Sequence, residues 1–167
     1  VEMTKQGLDP KLGLDLHFST DAQAANKPTS GLETGDEQIA FLDGMGPAEQ
    51  IQFLDETLKE AAEGSKEVGR LHAAWRAGDV DGLWNGMAVE MRDEYPALYQ
   101  RINVARNDAW VTKLDKRLRD GHEDDTLVVV GSLHLLGDDG VVEKLRARGY
   151  KVERICSACA PSTAAGT

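Results

Sequence analysis

Residues Thr126–Ile155, TLVVVGSLHLLGDDGVVEKLRARGYKVERI, carry the pattern from which a fold class can be argued. The run Thr126–Val130 is apolar, β-branched and without polar alternation, which is how a strand covered on both faces reads. Gly131 ends it, and His134 follows three residues later. Val141, Val142 and Leu145 then recur at helical spacing. The preceding Gly137-Asp-Asp-Gly140 offers aspartates for capping, and Gly149 supplies a left-handed stop. From Tyr150 to Ile155 the sequence returns to period two. A strand, a helix and a strand within about thirty residues predict a right-handed crossover and parallel pairing. The expected class is therefore α/β, with a mostly parallel central sheet and several helices. Open parallel sheets bind ligands beyond the carboxyl ends of their strands, the place this reading gives to His134. A hydrogen-bonded loop histidine is the plainer alternative at such a position.

Upstream, the pattern is helical. Pro10 to Ala25 reads as a helix opened by Asp9-Pro10. Residues Pro28 to Glu33 read as a short strand, and Gly35 to Leu42 as a helix. Pro47 starts a helix carrying Ile51, Leu54 and Leu58, which Gly64 stops. Val68, Leu71 and Trp75 mark another, ended by Gly78, and Leu83, Met87 and Met91 mark a further turn or two. The helix predicted from Pro96 to Asp120 has two apolar rows. Leu98, Ile102, Ala105 and Ala109 form one, and Val104, Val111, Leu114 and Leu118 the other, as expected of a helix sandwiched by other elements. Arg106 and Asn107 are polar groups set among apolar neighbours on it. A buried guanidinium needs a partner, since an uncompensated buried charge costs several kcal/mol; the alternative is an arginine stem lying on Trp110 with its head in water.

If Thr29 to Leu32 is a strand parallel to Thr126–Val130, Glu33 and His134 stand at equivalent strand ends and converge on one cleft. A carboxylate and an imidazole suit a divalent metal or general acid and base work. Alone, a glutamate here also serves as a helix cap. His17, His72 and His122 have no metal-ligand spacing to another histidine and read as structural or solvated. The acidic run 123–125 reads as a solvated turn.

Nineteen basic and twenty-nine acidic residues give the 167-residue chain a formal charge of −10, which argues against nucleic acid and anionic membranes as partners. The chain is 41% hydrophobic and 29% charged, enough for one core, and no run approaches the eighteen apolar residues of a membrane span. Cys156-Ser-Ala-Cys159 is followed by small residues without helical pattern. It therefore lacks the helix N-terminus that lowers a redox thiol's pKa, and a disulfide or two free thiols are expected. With no second such pair, a zinc knuckle is excluded on this chain alone.

The pattern Gly131-Ser-Leu-His134-Leu-Leu-Gly137-Asp-Asp-Gly140-Val, ending in Leu145-Arg-Ala-Arg-Gly-Tyr-Lys-Val152, resembles the carboxyl-terminal signature of the TraB/GumN family, relatives of the Tiki metalloproteases. The likeness extends through Gly7-Leu-Asp-Pro-Lys-Leu-Gly-Leu-Asp15, Lys27-Pro28, Gly31-Leu-Glu-Thr34, Glu37-Gln38, Ala74-Trp-Arg-Ala-Gly-Asp79 and Ala105-Arg-Asn107, in the family's order. It covers the chain to about Ile155. It implies residues 1–155 as the C-terminal part of a TraB/GumN (erythromycin-esterase/ChaN-like) domain with a helical insertion, and 156–167 as a small-residue tail. It also implies a metal-dependent hydrolase, acting on peptides as the Tiki proteins do. His134 and Glu33 would then hold Mn, Co or Zn, with Glu33 as ligand or base, Arg106 steadying a carboxylate or developing oxyanion, and Asn107 orienting one of these groups. The likeness tips Arg106-Asn107 toward a site role.

One departure stands out: the family's first Gly-x-x-His, near the amino terminus, has no counterpart in residues 1 to 20, where His17 lacks the glycine. The chain also begins at Val1. The expectation is a C-terminal portion, inactive alone, whose site is completed by an N-terminal half or a second chain. The alternative is a non-catalytic binding module of the same fold. Bacterial members are commonly exported, which implies an extracytoplasmic (periplasmic or secreted) location that permits a disulfide.

Overall fold

A computed structural model describes residues 4, 7–120 and 125–156. His122, Glu123, Asp124, Cys159 and the rest of the tail lie outside them. Among the described residues the fold is helical and contains no strand.

A short 3-10 turn, Pro10–Leu12, capped by Asp9, is separated by Gly13 from the helix Leu14–Ala24. The helix predicted from Pro10 thus starts four residues later, and none of its residues is buried. Gly35–Asp43 is set by a capping box: the Thr34 hydroxyl accepts from the Glu37 N–H and the Glu37 carboxylate accepts from the Thr34 N–H. Pro47–Ala77 runs on from Gly46, breaks at Gly64 (φ +62°) and stops at left-handed Gly78 (φ +67°). Both breaks fall where glycine was expected to stop a helix. Two short helices, Val80–Met87 and Val89–Glu94, lead to Pro96–Tyr99.

From Pro96 to Arg119 the chain stays helical but not uniformly. Residues Gln100–Val104 form a π-turn between Pro96–Tyr99 and Ala105–Arg119. The extra residue turns everything after it by about 100° relative to an uninterrupted α-helix. Hence the two expected apolar rows do not persist. Ala105, Ala109 and Leu118 are exposed, and the buried stripe is Leu98, Asn103, Asn107, Trp110 and Leu114, with Val104 and Val111 beside it.

The parallel sheet predicted from Thr126–Ile155 is absent, and with it the crossover. Thr126–Val130 makes no backbone hydrogen bond to another described residue, and neither Thr29–Leu32 nor 150–155 pairs with it. Val130 packs against the cluster of Trp110, Val111, Leu114 and Val141, whereas Leu127 is 68% exposed and Val128 40%. β-Branched composition is expressed as a strand only where a neighbouring strand meets it. The helix within this segment, Val141–Ala147, is present and followed by left-handed Gly149 (φ +90°), but neither aspartate of 137–140 caps it.

Among the described residues, three small apolar clusters share the interior. Ala74, Leu83 and Leu136 form one; Ala88, Met91, Tyr99 and Val104 a second; Trp110, Val111, Leu114 and Val141 a third. Trp84 touches the first two.

Candidate functional site

Glu33 sits between two constraints. A Cβ on Gly31 would run into the Glu33 carbonyl, so only glycine permits that tight approach, and the capped Thr34 begins a helix directly after it. Lys113 Nζ donates to the Leu32 carbonyl at 2.6 Å and pulls this segment onto the Ala105–Arg119 helix. The carboxylate is then met by four donors. Arg106 donates through Nε (3.1 Å to Oε2) and Nη2 (2.5 Å to Oε1), Gln38 Nε2 lies 3.0 Å from Oε1, and Trp110 Nε1 lies 3.3 Å from Oε2. The fork of Arg106 holds the Glu33 carboxyl below its ordinary range; burial opposes this, and the Gln38 and Trp110 donors reinforce it. The guanidinium lies 4.9 Å from the Trp110 ring centre and 5.9 Å from that of Phe41. Glu33 is therefore not the cap of the following helix, and Arg106 is paired rather than directed to water.

His134 reaches the same place from the other side. It lies in the 3-10 turn Ser132–Leu135, whose His134 N–H donates to the Gly131 carbonyl at 3.0 Å. Its ring stands 4.4 Å from Trp110, centre to centre, tilted by 52°. The Asn107 side chain lies between this turn and the next one: its Oδ1 is 2.7 Å from His134 Nδ1, and its Nδ2 donates to the Asp139 carbonyl at 2.8 Å. Burial pushes the His134 pKa down to about 4; the Arg106 charge adds to this and Glu33 opposes it. At neutral pH the ring is uncharged.

Glu33, Arg106, Asn107 and His134 are thus gathered on one helix and the loops against it, not at parallel strand ends. Trp110 unites them, touching Glu33 with its indole N–H and His134 with its ring. In the sequence, Trp110 reads only as an apolar neighbour of Arg106, and Asp139 only as a capping candidate. The signal for Trp110 was its place four residues after Arg106. The Asp139 contribution is a backbone carbonyl, invisible in residue type. A second polar cluster flanks the first: the Tyr99 hydroxyl lies 3.5 Å from Asp139 Oδ2 and accepts from Asn103 Nδ2 at 3.1 Å, in the π-turn.

The donor set does not complete a metal site. No group of three or more His, Cys, Asp or Glu side chains is assembled among the described residues. A catalytic zinc site takes about three protein ligands and an open position. His134 offers one imidazole nitrogen, and both Glu33 oxygens are already engaged by Arg106. Of the other histidines, His17 approaches Asp21 at 3.6 Å in the first helix, and His72 stacks on Trp75; neither joins this cluster.

Among proteins of known sequence, the chain is 26% identical over 147 residues to YbaP, an uncharacterised protein, of Escherichia coli (strain K12), and equally to that of Shigella flexneri. These alignments cover 87% of this chain and 52% of each relative, so the chain spans about half the length of the curated relatives it matches. No solved structure matches it. The sequence model of the TraB/PrgY/gumN family matches residues 1–154, the whole stretch that builds the Glu33, Arg106, Asn107 and His134 cluster, and the chain belongs to that family.

Proposed function

We propose that the chain supplies part of a hydrolytic site, acting on peptide substrates, in which His134 is the reactive group. The observation that supports this reading is a neutral, half-buried imidazole held by Asn107 and Trp110 within reach of the charges of the Arg106–Glu33 pair. An uncharged ring can accept a proton or ligate a cation at neutral pH. Arg106, fixed by Glu33 and Trp110, keeps positive charge beside it, where it steadies a carboxylate or developing oxyanion. A divalent cation (Mn, Co or Zn) would take His134 as ligand, with further donors from outside the described residues: the remaining half of the relatives' length or a second chain. Such an ion supplies Lewis acidity toward a carbonyl oxygen and acidity to water. An extracytoplasmic location accords with the disulfide-bonded Cys156. Among the described residues no helix is long and apolar enough to cross a membrane.

The engagement of Glu33 by Arg106 supports a second reading, a non-catalytic binding module of the same family. Cleavage of a quenched peptide library by the chain and by a longer form carrying the other half, each with and without His134→Ala, separates the two. Hydrolytic activity in the longer form that needs added metal and falls at least 100-fold with His134→Ala is the expected result. A longer form that binds peptide without cleaving it, equally well in the variant, overturns the hydrolase reading.

A further inference from the structure

Asn107 is completely buried, and its amide makes two contacts of opposite polarity. The Asp139 carbonyl, 2.8 Å away, can only accept, so the amide nitrogen must face it. That orientation leaves Oδ1 facing His134 Nδ1 at 2.7 Å. An amide oxygen also only accepts, so the proton of the neutral ring must reside on Nδ1. A neutral imidazole carries one proton, and Nε2 is left with a lone pair.

We propose that Asn107 is a positioning residue that holds His134 in its Nδ1–H tautomer, presenting Nε2 as the lone pair that takes a proton or a cation. The proposal rests on the reading of His134 as the reactive group and names what sets its reactive atom. In free histidine the Nε2–H form predominates, so the protein must supply the bias. The turn that supplies it is built from glycine. Gly137 has φ +69° and packs against the Trp84 ring so closely that a Cβ there would collide with it. Gly140 N–H closes the turn on the Gly137 carbonyl at 3.0 Å, and a Cβ on Gly140 would meet the carbonyl oxygens of Leu136 and Gly137. The result is a backbone acceptor, the Asp139 carbonyl, fixed against the Asn107 amide. The Gly-Asp-Asp-Gly motif and the Arg-Asn motif thereby meet in one hydrogen-bonded chain that ends on His134. Orienting partners of this kind fix ring tautomers at metal and catalytic sites in general.

The test is ring-nitrogen NMR on the full chain labelled with 15N-histidine, at pH 7 and without metal. Four histidines are present, and His134→Gln identifies the His134 signals by their loss. The expected spectrum has a protonated, pyrrole-type Nδ1 and a pyridine-type Nε2. Folded Asn107→Leu should shift His134 to the Nε2–H form or a mixture. A His134 that is Nε2–H in the wild-type protein overturns the proposal, whether or not Asn107→Leu folds; so does an unchanged tautomer in folded Asn107→Leu. Titration with Zn then separates this inference from the reading it rests on. An Nδ1–H ring without Zn affinity in the longer form removes the metal and leaves the positioning role. Tight Zn binding by an Nε2–H ring removes the positioning role and leaves the metal.

Discussion

His134 shows how a neighbourhood, more than a residue type, sets chemistry. An exposed histidine is half-charged near its ordinary 6.5, and this one is held at about 4 by burial and the Arg106 charge. The unfolded chain therefore binds more protons than the folded one between those values, and stability rises with pH across that interval. The contribution is complete above pH 6.5 and is lost as pH falls toward 4. Glu33, lowered below its usual 4.5, adds a loss in the same direction at still lower pH. Urea denaturation at pH 7, 5.5 and 4.5 should give a falling midpoint in the parent and a flatter profile in His134→Gln. An NMR titration of His134 centred near 6.5 would contradict the account. At this scale part was legible from sequence: a buried guanidinium needs a partner, which left Arg106 either paired or directed to water, and Glu33 stood as a candidate on separate grounds, but nothing in the sequence joined the two. The Trp110 indole and the Asp139 carbonyl were not legible, because an aromatic at helical spacing reads as packing and a backbone acceptor has no signature.

At the scale of elements, helix-stopping glycines were reliable and β-branching was not. Gly64, Gly78 and Gly149 each adopt positive φ where a helix was expected to end. Thr126–Val130 reads as a strand from its β-branched composition, its lack of polar alternation and the pattern that follows it, yet a strand is a relation between two segments, and among the described residues none pairs with this one. The π-turn at Gln100–Val104 was hidden for a related reason. Leu98 and Asn103, five residues apart, share the buried face only if one turn is widened, and a 3.6 period assigns them to different faces. The two positive-φ glycines around Val141–Ala147 provide a graded test. Gly149 has open space where a Cβ would go, so Gly149→Ala should cost only the left-handed penalty, about 1 kcal/mol. Gly137→Ala adds a clash with the Trp84 ring and should cost about 2–4 kcal/mol. Thermal or urea unfolding of the two variants checks the order, and equal losses would show that Trp84 yields freely.

For the whole molecule, the relevant quantity is how little of the apolar run is covered. A groove of about 630 Å3 lies between Ala105–Arg119, Val141–Ala147 and the 125–135 segment, lined by Leu114, Leu118, Val128, Val130, Leu135 and Val142 among others. Leu118, which lines it, is more than half exposed, and so is Leu127, next in the chain to the lining residues Thr126 and Val128. The three clusters among the described residues are small, and the chain spans about half the length of its curated relatives. A contiguous apolar trough beside a backbone segment without a ladder is the kind of surface that draws chains together. The net charge of −10 opposes association at long range, but it is screened beyond about 8 Å at physiological ionic strength and does not protect an apolar face at contact. The chain should therefore self-associate as concentration and salt rise. Leu127→Lys and Val128→Lys, placed on the exposed run and outside the Glu33, Arg106, Asn107 and His134 cluster, should shift sedimentation-velocity profiles toward monomer. Each should leave unfolding within about 0.5 kcal/mol of the parent, as expected of substitutions at exposed positions. Association unchanged by both lysines would mean that the trough is not the contact surface, and that the β-branched run is held by the helices beneath it more firmly than its exposure implies.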